Sequence, residues 1–267
     1  MTEPARARQA FDHAVVLVSS LAQATREFTA AGFTVLAGGR HEGLPTENAL
    51  VCFADGSYLE LLATLEPATR AELRALRASD GWERHLRGVS AVARRFLPKL
   101  AGPDGVADWV LCTDSLARQA ARLRANAIVA SGPVAMGRER TGEEKLAWEL
   151  LLPESALHPF WIADVMPRAH RVPSDSAATT HANGARGVRA LRVRAPVVPM
   201  AALELGEVLG VAPSVRGDGV TVLDMGAWRV ELVEGDPAGA MGLTLTGCAA
   251  LTPEIAAYGI ATDASPS

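Results

Sequence analysis

FDHAVVLV, residues 11 to 18, followed by LAQATREFTAAG, residues 21 to 32, decides how the rest of the chain is read. The first stretch gathers β-branched and apolar residues into a strand. The second switches to helical spacing, with Leu21, Ala24, Phe28 and Ala31 on one face. Gly32 suits the left-handed cap that ends such a helix. FTVLAG, NALVCF and YLELLA follow as three strand-like runs set apart by Gly, Pro and Asp turn signals. The expected unit is βαβββ over residues 8–66.

The same order returns over residues 106–169. DWVLCTDS reads as a strand, LARQAARLRANA as an amphipathic helix, and IVASGPVAM, KLAWELLL and FWIADV as strands. This is an internal repeat of pattern without identity. A third, shorter copy is expected over residues 187–250, from GVRALRVRA through the helix MAALELGEVLG to VTVLDM and WRVELVE, with GLTLTGCA as a closing strand. Its second strand would have to come from the poorly patterned APSVRGDG. Residues 67–105 read as a helical connector opened by Pro67, residues 170–186 as a linker rich in Ser, Thr, Ala and Pro, and the ASPS tail as frayed.

Composition narrows the function classes. A chain of 267 residues with 49% hydrophobic and 21% charged residues has room for two or three small modules with a buried core. Its net charge of −4 offers no general attraction for nucleic acid. Cys52, Cys112 and Cys248 are odd in number, lack CxxC spacing and sit in apolar, strand-like stretches, which fits reduced core thiols. The N-terminal stretch MTEPARARQAFDHAVV lacks an apolar segment of signal-peptide length, and no uncharged run approaches the roughly 20 residues that cross a bilayer. The expectation is a cytoplasmic protein with no membrane or nucleic-acid partner; a homo-oligomer stays open.

The strings FDHAVVLV, AGGRHEGLPTENALVCFADGSYLELLA and HANGARGVRALRV resemble glyoxalase-like proteins of the vicinal oxygen chelate superfamily. The match is specific over the first quarter of the chain, rests on pattern in the second module and holds only in places in the third. The resemblance implies an α+β fold. In it, paired βαβββ modules curl a mixed sheet into a half-open barrel with helices outside and a ligand or metal site on the concave face.

Strand parity agrees with that geometry, because side chains alternate faces. Ala14, Val16 and Val18 would meet the helix, leaving His13, Val15 and Leu17 on the concave face. In YLELLA, Tyr58, Glu60 and Leu62 share a face opposite Leu59, Leu61 and Ala63. His13 and Glu60 can then share a cavity. The resemblance further implies that these two are the catalytic residues and the metal ligands of the first module. An imidazole and a carboxylate suit Zn, Fe, Mn or Ni, with open positions for two vicinal substrate oxygens. Such a cation would act as a Lewis acid while a carboxylate or bound water moves a proton. The second module departs from this pattern: Asp108 aligns with His13 and Trp161 with Glu60, so a metal would have to recruit Asp108, His41, His158 or water.

Each candidate has a plainer explanation. His13 can be a core histidine bonded to Tyr58 or Glu60. Glu60, if buried without a partner, would be costly, so a metal, a histidine or a raised pKa is expected. In GGRHEGLPTEN, residues 38–48, His41 and Asn48 either reach the ligand or, with Thr46, serve the turn backbone. Trp109, Trp148 and Trp161 sit in strands where aromatic residues pack cores, although parity places Trp161 on the concave face. His41, Asn48, Tyr58 and Trp161 form the expected substrate-binding set, suited to a planar ligand. Arg192, Arg194, Arg229 and Glu231 make a charged face, read as a salt-bridge network before an anion site. Cys52 has no neighbouring histidine implied, and GxSxG, P-loop and dinucleotide fingerprints are missing. The leading expectation is a glyoxalase-like enzyme on a small oxygenated organic molecule, of lyase, isomerase or oxygenase type. The competing ones are a metal-free protein that sequesters a small molecule and a scaffold that oligomerises through the third module.

Overall fold

The computed structural model describes residues 9–139, 146–248 and 250–263. Residue 8, Lys145, Ala249, the ASPS tail and most of the N-terminal stretch weighed as a signal segment lie outside the described residues. The chain opens with β1 (Gln9–Leu17), α1 (Leu21–Ala30), β2 (Leu36–His41), β3 (Thr46–Cys52) and β4 (Tyr58–Thr64). Ser20 caps α1 by accepting from the Gln23 amide, and Gly32 just past its end has a positive φ of 85°. A connector of α2 (Pro67–Arg77), α3 (Trp82–Arg87) and α4 (Ala91–Leu100) leads to β5 (Gly105–Thr113), α5 (Leu116–Ala125), β6 (Ala130–Glu139), β7 (Leu146–Pro153) and β8 (Phe160–Asp164). The short helices α6 (Arg168–Arg171) and α7 (Ser176–Thr179) follow. The last part holds β9 (Gly187–Ala195), α8 (Val198–Leu209), β10 (Ser214–Val215), β11 (Thr221–Asp224), β12 (Arg229–Glu234), β13 (Gly239–Thr246), α9 (Pro253–Ala257) and β14 (Ile260–Thr262).

The first eight strands curl into one barrel in the order β1-β4-β3-β2-β6-β7-β8-β5. Within each βαβββ unit the first and last strands pair in parallel, β1 with β4 and β5 with β8. The units join through antiparallel β1 and β5. The opposite seam, β2 to β6, carries among the described residues the pairs Arg40–Glu139 and His41–Arg138. Parity works as expected. Ala14, Val16, Val18, Leu59 and Leu61 share the outer core with Phe28 of α1, while Val15, Leu17, Leu62 and Val110 share the inner one.

The inner core also contains Val92, Phe96 and Leu100 of α4, so a connector helix packs against the barrel interior. Its anchor is ionic. Arg95 donates from Nε and Nη2 to the two oxygens of Asp108 at 2.8 and 2.7 Å, and also donates to the carbonyls of Pro153 and His158, both at 2.8 Å. Lys99 Nζ lies 3.3 Å from the same carboxylate. Both cations are needed because Asp108 is fully buried.

The remaining strands form a six-stranded sheet, β10-β11-β12-β9-β13-β14, whose outer residues Leu191, Val193, Leu243 and Leu245 complete the outer core. The weak stretch APSVRGDG does supply a second strand, of two residues, β10. GLTLTGCA, expected to close the third unit, does something else. The closing position is already taken by β12, which pairs in parallel with β9. β13 pairs antiparallel with β9 and parallel with β14, as β5 does with β1 and β8, and so begins a further strand-helix-strand unit. Of the face read as a salt-bridge network, Glu231 accepts from Arg229 at 2.8 Å and also from Arg216, outside that set, at 2.7 Å, while Arg194 donates to the Asp236 carbonyl at 3.2 Å. The segment read as a linker is pinned down: His181 Nδ1 accepts from the Thr34 amide, leaving Nε2 to donate to the Cys52 carbonyl, each at 3.0 Å. Among the described residues no helix is long and apolar enough to cross a membrane.

Replacing Arg95 with methionine leaves Asp108 buried beside Lys99 alone and is expected to cost about 3–5 kcal/mol of unfolding free energy. Arg118→Met, at an exposed ion pair with Asp114, is expected to stay within about 0.5 kcal/mol. Urea unfolding midpoints compare the two.

Candidate active site

Glu60 stands in the middle of β4, 8% exposed, and takes partners from both neighbouring strands. From β3, Asn48 Nδ2 donates to Oε1 at 2.5 Å. From the end of β2, His41 Nε2 lies 3.3 Å from Oε1. From β1, His13 Nε2 lies 3.6 Å from Oε2, close enough for strong attraction and too far for a full hydrogen bond. The sequence pairing of His13 with Glu60 in one cavity is what the coordinates place together.

His13 is held from behind. Its Nδ1 is 2.7 Å from Asp12 Oδ1, and its ring stacks on Tyr58, directly opposite on β4, at 4.4 Å between centroids. Adjacent strand residues ordinarily face opposite ways. Here β1 bulges between Phe11 and His13, so Asp12 is the extra residue and its carboxylate can meet the neighbouring imidazole. Asp12 is fully buried and gripped by two arginines from α6. Arg171 spends all five of its N–H groups. Nη1 donates to Asp12 Oδ1 at 3.0 Å and Tyr58 Oη at 2.8 Å, and Nη2 donates to Asp12 Oδ2 and Asp164 Oδ2, both at 3.0 Å. Nε donates to Asp164 Oδ1 at 2.6 Å. Arg168 adds Nε and Nη2 to Asp12 Oδ2 at 3.1 and 3.0 Å.

These contacts set the charges. Burial alone would raise the Glu60 carboxyl, but the imidazoles of His13 and His41 hold it well below the usual carboxylate range. Burial would likewise raise Asp12, and Arg171 with His13 overrides it. Burial pushes His13 down, yet Asp12 and Glu60 lift it above its ordinary value. The site thus sets an imidazole between two carboxylates that favour its protonated form.

The GGRHEGLPTEN segment serves both of its readings at once. Asn48 Oδ1 accepts from the Gly39 amide at 2.9 Å, a turn-supporting bond that forces Nδ2 towards Glu60. A Cβ at Gly38 would fall 1.9 Å from Asn48 Oδ1, so only glycine admits that side chain. Thr46 Oγ1 lies 3.0 Å from His41 Nδ1 and orients the ring.

These groups line one side of a cavity of about 60 Å³ whose other side is hydrocarbon: Phe96, Trp148, Leu150, Phe160 and Ile162. Tyr58 and Arg171 also reach it. Trp161, expected here, is fully buried in the outer core beside Trp109 and Leu151. The register explains the error. Val15 of β1 stands opposite Glu60 and Val110 of β5 opposite Phe160, so Phe160 occupies the place equivalent to Glu60 and its neighbour faces outward. The match of Asp108 with His13 holds, since His13 pairs with Val110 and Val15 with Asp108 across the β1–β5 seam. Sequence reading missed Asp12, whose position depends on a bulge, and Arg171 and Arg168, which lie in or beside the presumed linker and carry no periodic signal.

His13 Nε2 and Glu60 Oε2 are separated as two ligands of one cation with bonds of about 2.1 Å can be. Asp12 on Nδ1 is the kind of partner that fixes a metal-binding imidazole. The pair therefore fits a divalent cation. Among its described residues the second module adds no ligand: Phe160 is hydrocarbon, Asp108 is spent on Arg95 and Lys99, and His158 Nε2 lies 2.9 Å from Glu204 of α8, out of hydrogen-bond alignment. Among the described residues no group of three or more His, Cys, Asp or Glu side chains is arranged to hold a metal ion, so a cation here would keep most of its positions for water and ligand oxygens.

The family model described as a glyoxalase-like domain matches residues 11–209. No curated protein matches the sequence. Among solved structures, a hypothetical protein from Staphylococcus aureus aligns with a TM-score of 0.69 and 16% identity over 90% of this chain and 92% of its own. A mutant 4-hydroxymandelate synthase from Streptomyces coelicolor aligns with a TM-score of 0.53 and 14% identity over 90% and 71%. The Mn(II)-bound glyoxalase from Novosphingobium aromaticivorans aligns with a TM-score of 0.49 and 11% identity over 90% and 66%. The first two share this fold.

Glu60→Gln removes one of the two anions that lift His13, so the imidazole is expected to titrate at lower pH than in the wild type, read from its ring resonances by NMR. The stability change follows in sign. A raised histidine stabilises the fold fully below its unfolded pKa of about 6.5 and loses that contribution as pH rises through the folded value. The variant should lose less stability than the wild type over that rise.

Proposed function

The chain belongs to the glyoxalase-like domain family of the vicinal oxygen chelate superfamily, and from that premise we propose an enzyme that moves protons on a small oxygenated organic molecule lodged between His13 and Glu60. One observation carries the reading: an imidazole and a carboxylate, opposed across 3.6 Å, open onto a cavity that is otherwise half hydrocarbon. That is an acid and a base presented to one guest.

A substrate carbonyl entering the gap accepts a hydrogen bond from His13 Nε2. Its arrival separates His13 from Glu60 and removes an interaction that keeps the carboxylate acidic. Burial, which raises the group, then prevails, and Glu60 becomes basic enough to take the proton from the carbon beside the carbonyl. As that C–H bond breaks, its electron pair forms a C=C bond, the carbonyl electrons shift to oxygen, and the oxygen takes the proton of His13. The product of this step is an enol with the proton now on Glu60. Where the deprotonated carbon carries a hydroxyl, that hydroxyl returns a proton to His13 while Glu60 delivers its proton to the former carbonyl carbon, giving an isomerisation. Where the next carbon carries a leaving group, the enol hydroxyl returns its proton to His13 as the C=O re-forms, the C=C electrons shift to expel the group, and the group takes the proton of Glu60, giving a lyase reaction. Asn48 and His41 hold Glu60 in line, and Asp12 with Arg171 keeps His13 from turning. Where a divalent cation is bound, His13 and Glu60 would hold it and it would polarise the substrate carbonyl as a Lewis acid.

A second reading, a protein that sequesters its small-molecule partner unchanged, draws on the aromatic wall of Phe96, Trp148 and Phe160. Solvent-deuterium exchange separates the two. The enzyme should exchange the hydrogens beside the carbonyl of hydroxyacetone or a longer homologue, followed by NMR in D2O, and His13→Ala and Glu60→Gln should each slow the exchange by about 10²–10⁴-fold. Bound ligand with exchange no faster than in buffer favours sequestration and sinks the enzyme. Elemental analysis of the same untagged samples reports any cation, and loss of stoichiometric metal from both variants would assign it to the pair.

A further inference from the structure

The two halves of the barrel are built alike but finished differently. At the place of His13 the second half carries Asp108, and at the place of Glu60 it carries Phe160. Asp108 is shut away from the cavity by Arg95 of α4, and Phe160 offers the cavity only hydrocarbon. Arg95 fastens the helix through Asp108 and two backbone carbonyls, and its guanidinium carbon sits 5.1 Å over the Phe160 ring. Ser90 caps the helix start by accepting from the Ala93 amide. A helix held this firmly presents a fixed surface.

The next residue, Phe96, meets Phe160 edge to face at 5.8 Å and lines the cavity, with Val92 one turn earlier on the same helix face. Both are nearly buried. The cavity ends where α4 begins. The charged end restricts the guest further. Asp12 consumes Arg171 and Arg168, and the Glu60 charge is met by His13, so among the described residues an anionic ligand would face Glu60 with no spare cation.

We infer that Phe96, with Val92, sets the length of the ligand, and that the site takes neutral molecules with one oxygenated end and one short, unbranched hydrocarbon end. This rests on the reading of the His13–Glu60 cavity as the substrate site. Oxygens lie towards His13 and Asn48, and the tail runs against Phe160 and Leu150 until it meets the Phe96 ring.

The test is calorimetric titration of hydroxyacetone and its straight-chain homologues, up to hydroxyoctanone, into wild type, Phe96→Leu, Phe96→Ala and Phe96→Trp. Each methylene that finds room should tighten binding about fourfold, and the first that does not should reverse the trend. The reversal is expected at a longer chain in the leucine and alanine variants and at a shorter one in the tryptophan variant. The leucine variant, checked by its melting curve, stands in should alanine not fold. Homologues that bind wild type with a reversal at the same length in every folded variant would overturn the inference and leave the site reading intact. If no homologue binds wild type, the site reading fails and the inference fails with it.

Discussion

A carboxylate taken out of water must be answered by charge or by hydrogen bonds, and this molecule buries three of them in one barrel. Asp12 and Asp108 are fully enclosed and Glu60 nearly so. Asp12 is answered by Arg171, Arg168 and His13, Asp108 by Arg95 and Lys99, and Glu60 by Asn48 and two imidazoles. Much of the local architecture follows from meeting those demands. The stretch after β8 cannot drift away as a linker, because Arg171 must return to Asp12. The connector α4 cannot stay on the surface, because Arg95 must reach Asp108. Buried ion pairs of this kind add little net stability compared with hydrocarbon of the same shape, but losing one partner is costly, so they act chiefly to fix position.

The two answers have opposite consequences for the space inside. At Asp12 the guanidinium of Arg171 grips the carboxylate at the margin of the cavity and leaves the imidazole facing inward. At Asp108 the guanidinium arrives on a helix that brings Val92 and Phe96 with it. A single duplicated architecture thereby keeps one polar half and converts the other into a wall. The apolar wall in turn sharpens the polar side, since a charge pair beside hydrocarbon is poorly screened by water.

What the sequence made legible is what alternation governs. The faces of β1 and β4 follow from period two, and with them His13, Glu60 and Tyr58. The repeated βαβββ order follows from the change of period between strand and helix. What escaped is what breaks alternation or carries no period. Asp12 sits at a bulge, where parity fails by one residue. Trp161 went to the wrong face because the second unit was aligned one residue out of register, and in a strand that single step exchanges cavity for outer core. Arg171 lies in a segment of Ser, Ala and Pro with no repeating pattern, so neither its return to the barrel nor its partners could be read. β13 looked like a closing strand because strand character says nothing of which neighbour it will pair with.

Strand geometry also explains why these residue types occupy the site. His13 is directly opposite Tyr58 and Glu60 directly opposite Val15, so the imidazole and the carboxylate are diagonal neighbours on one face of parallel strands. On the other side Leu50 is opposite Glu60 and Asn48 is again a diagonal neighbour. Diagonal positions on a sheet stand about 7–8 Å apart at the backbone, too far for short side chains to meet. A glutamate, an asparagine and a histidine can bridge that distance and converge, whereas a serine or an alanine would leave a gap. The same diagonal offset keeps His13 and Glu60 from closing fully on each other. Their 3.6 Å separation is thus a product of strand register, and it leaves the imidazole and the carboxylate short of a full hydrogen bond with one another.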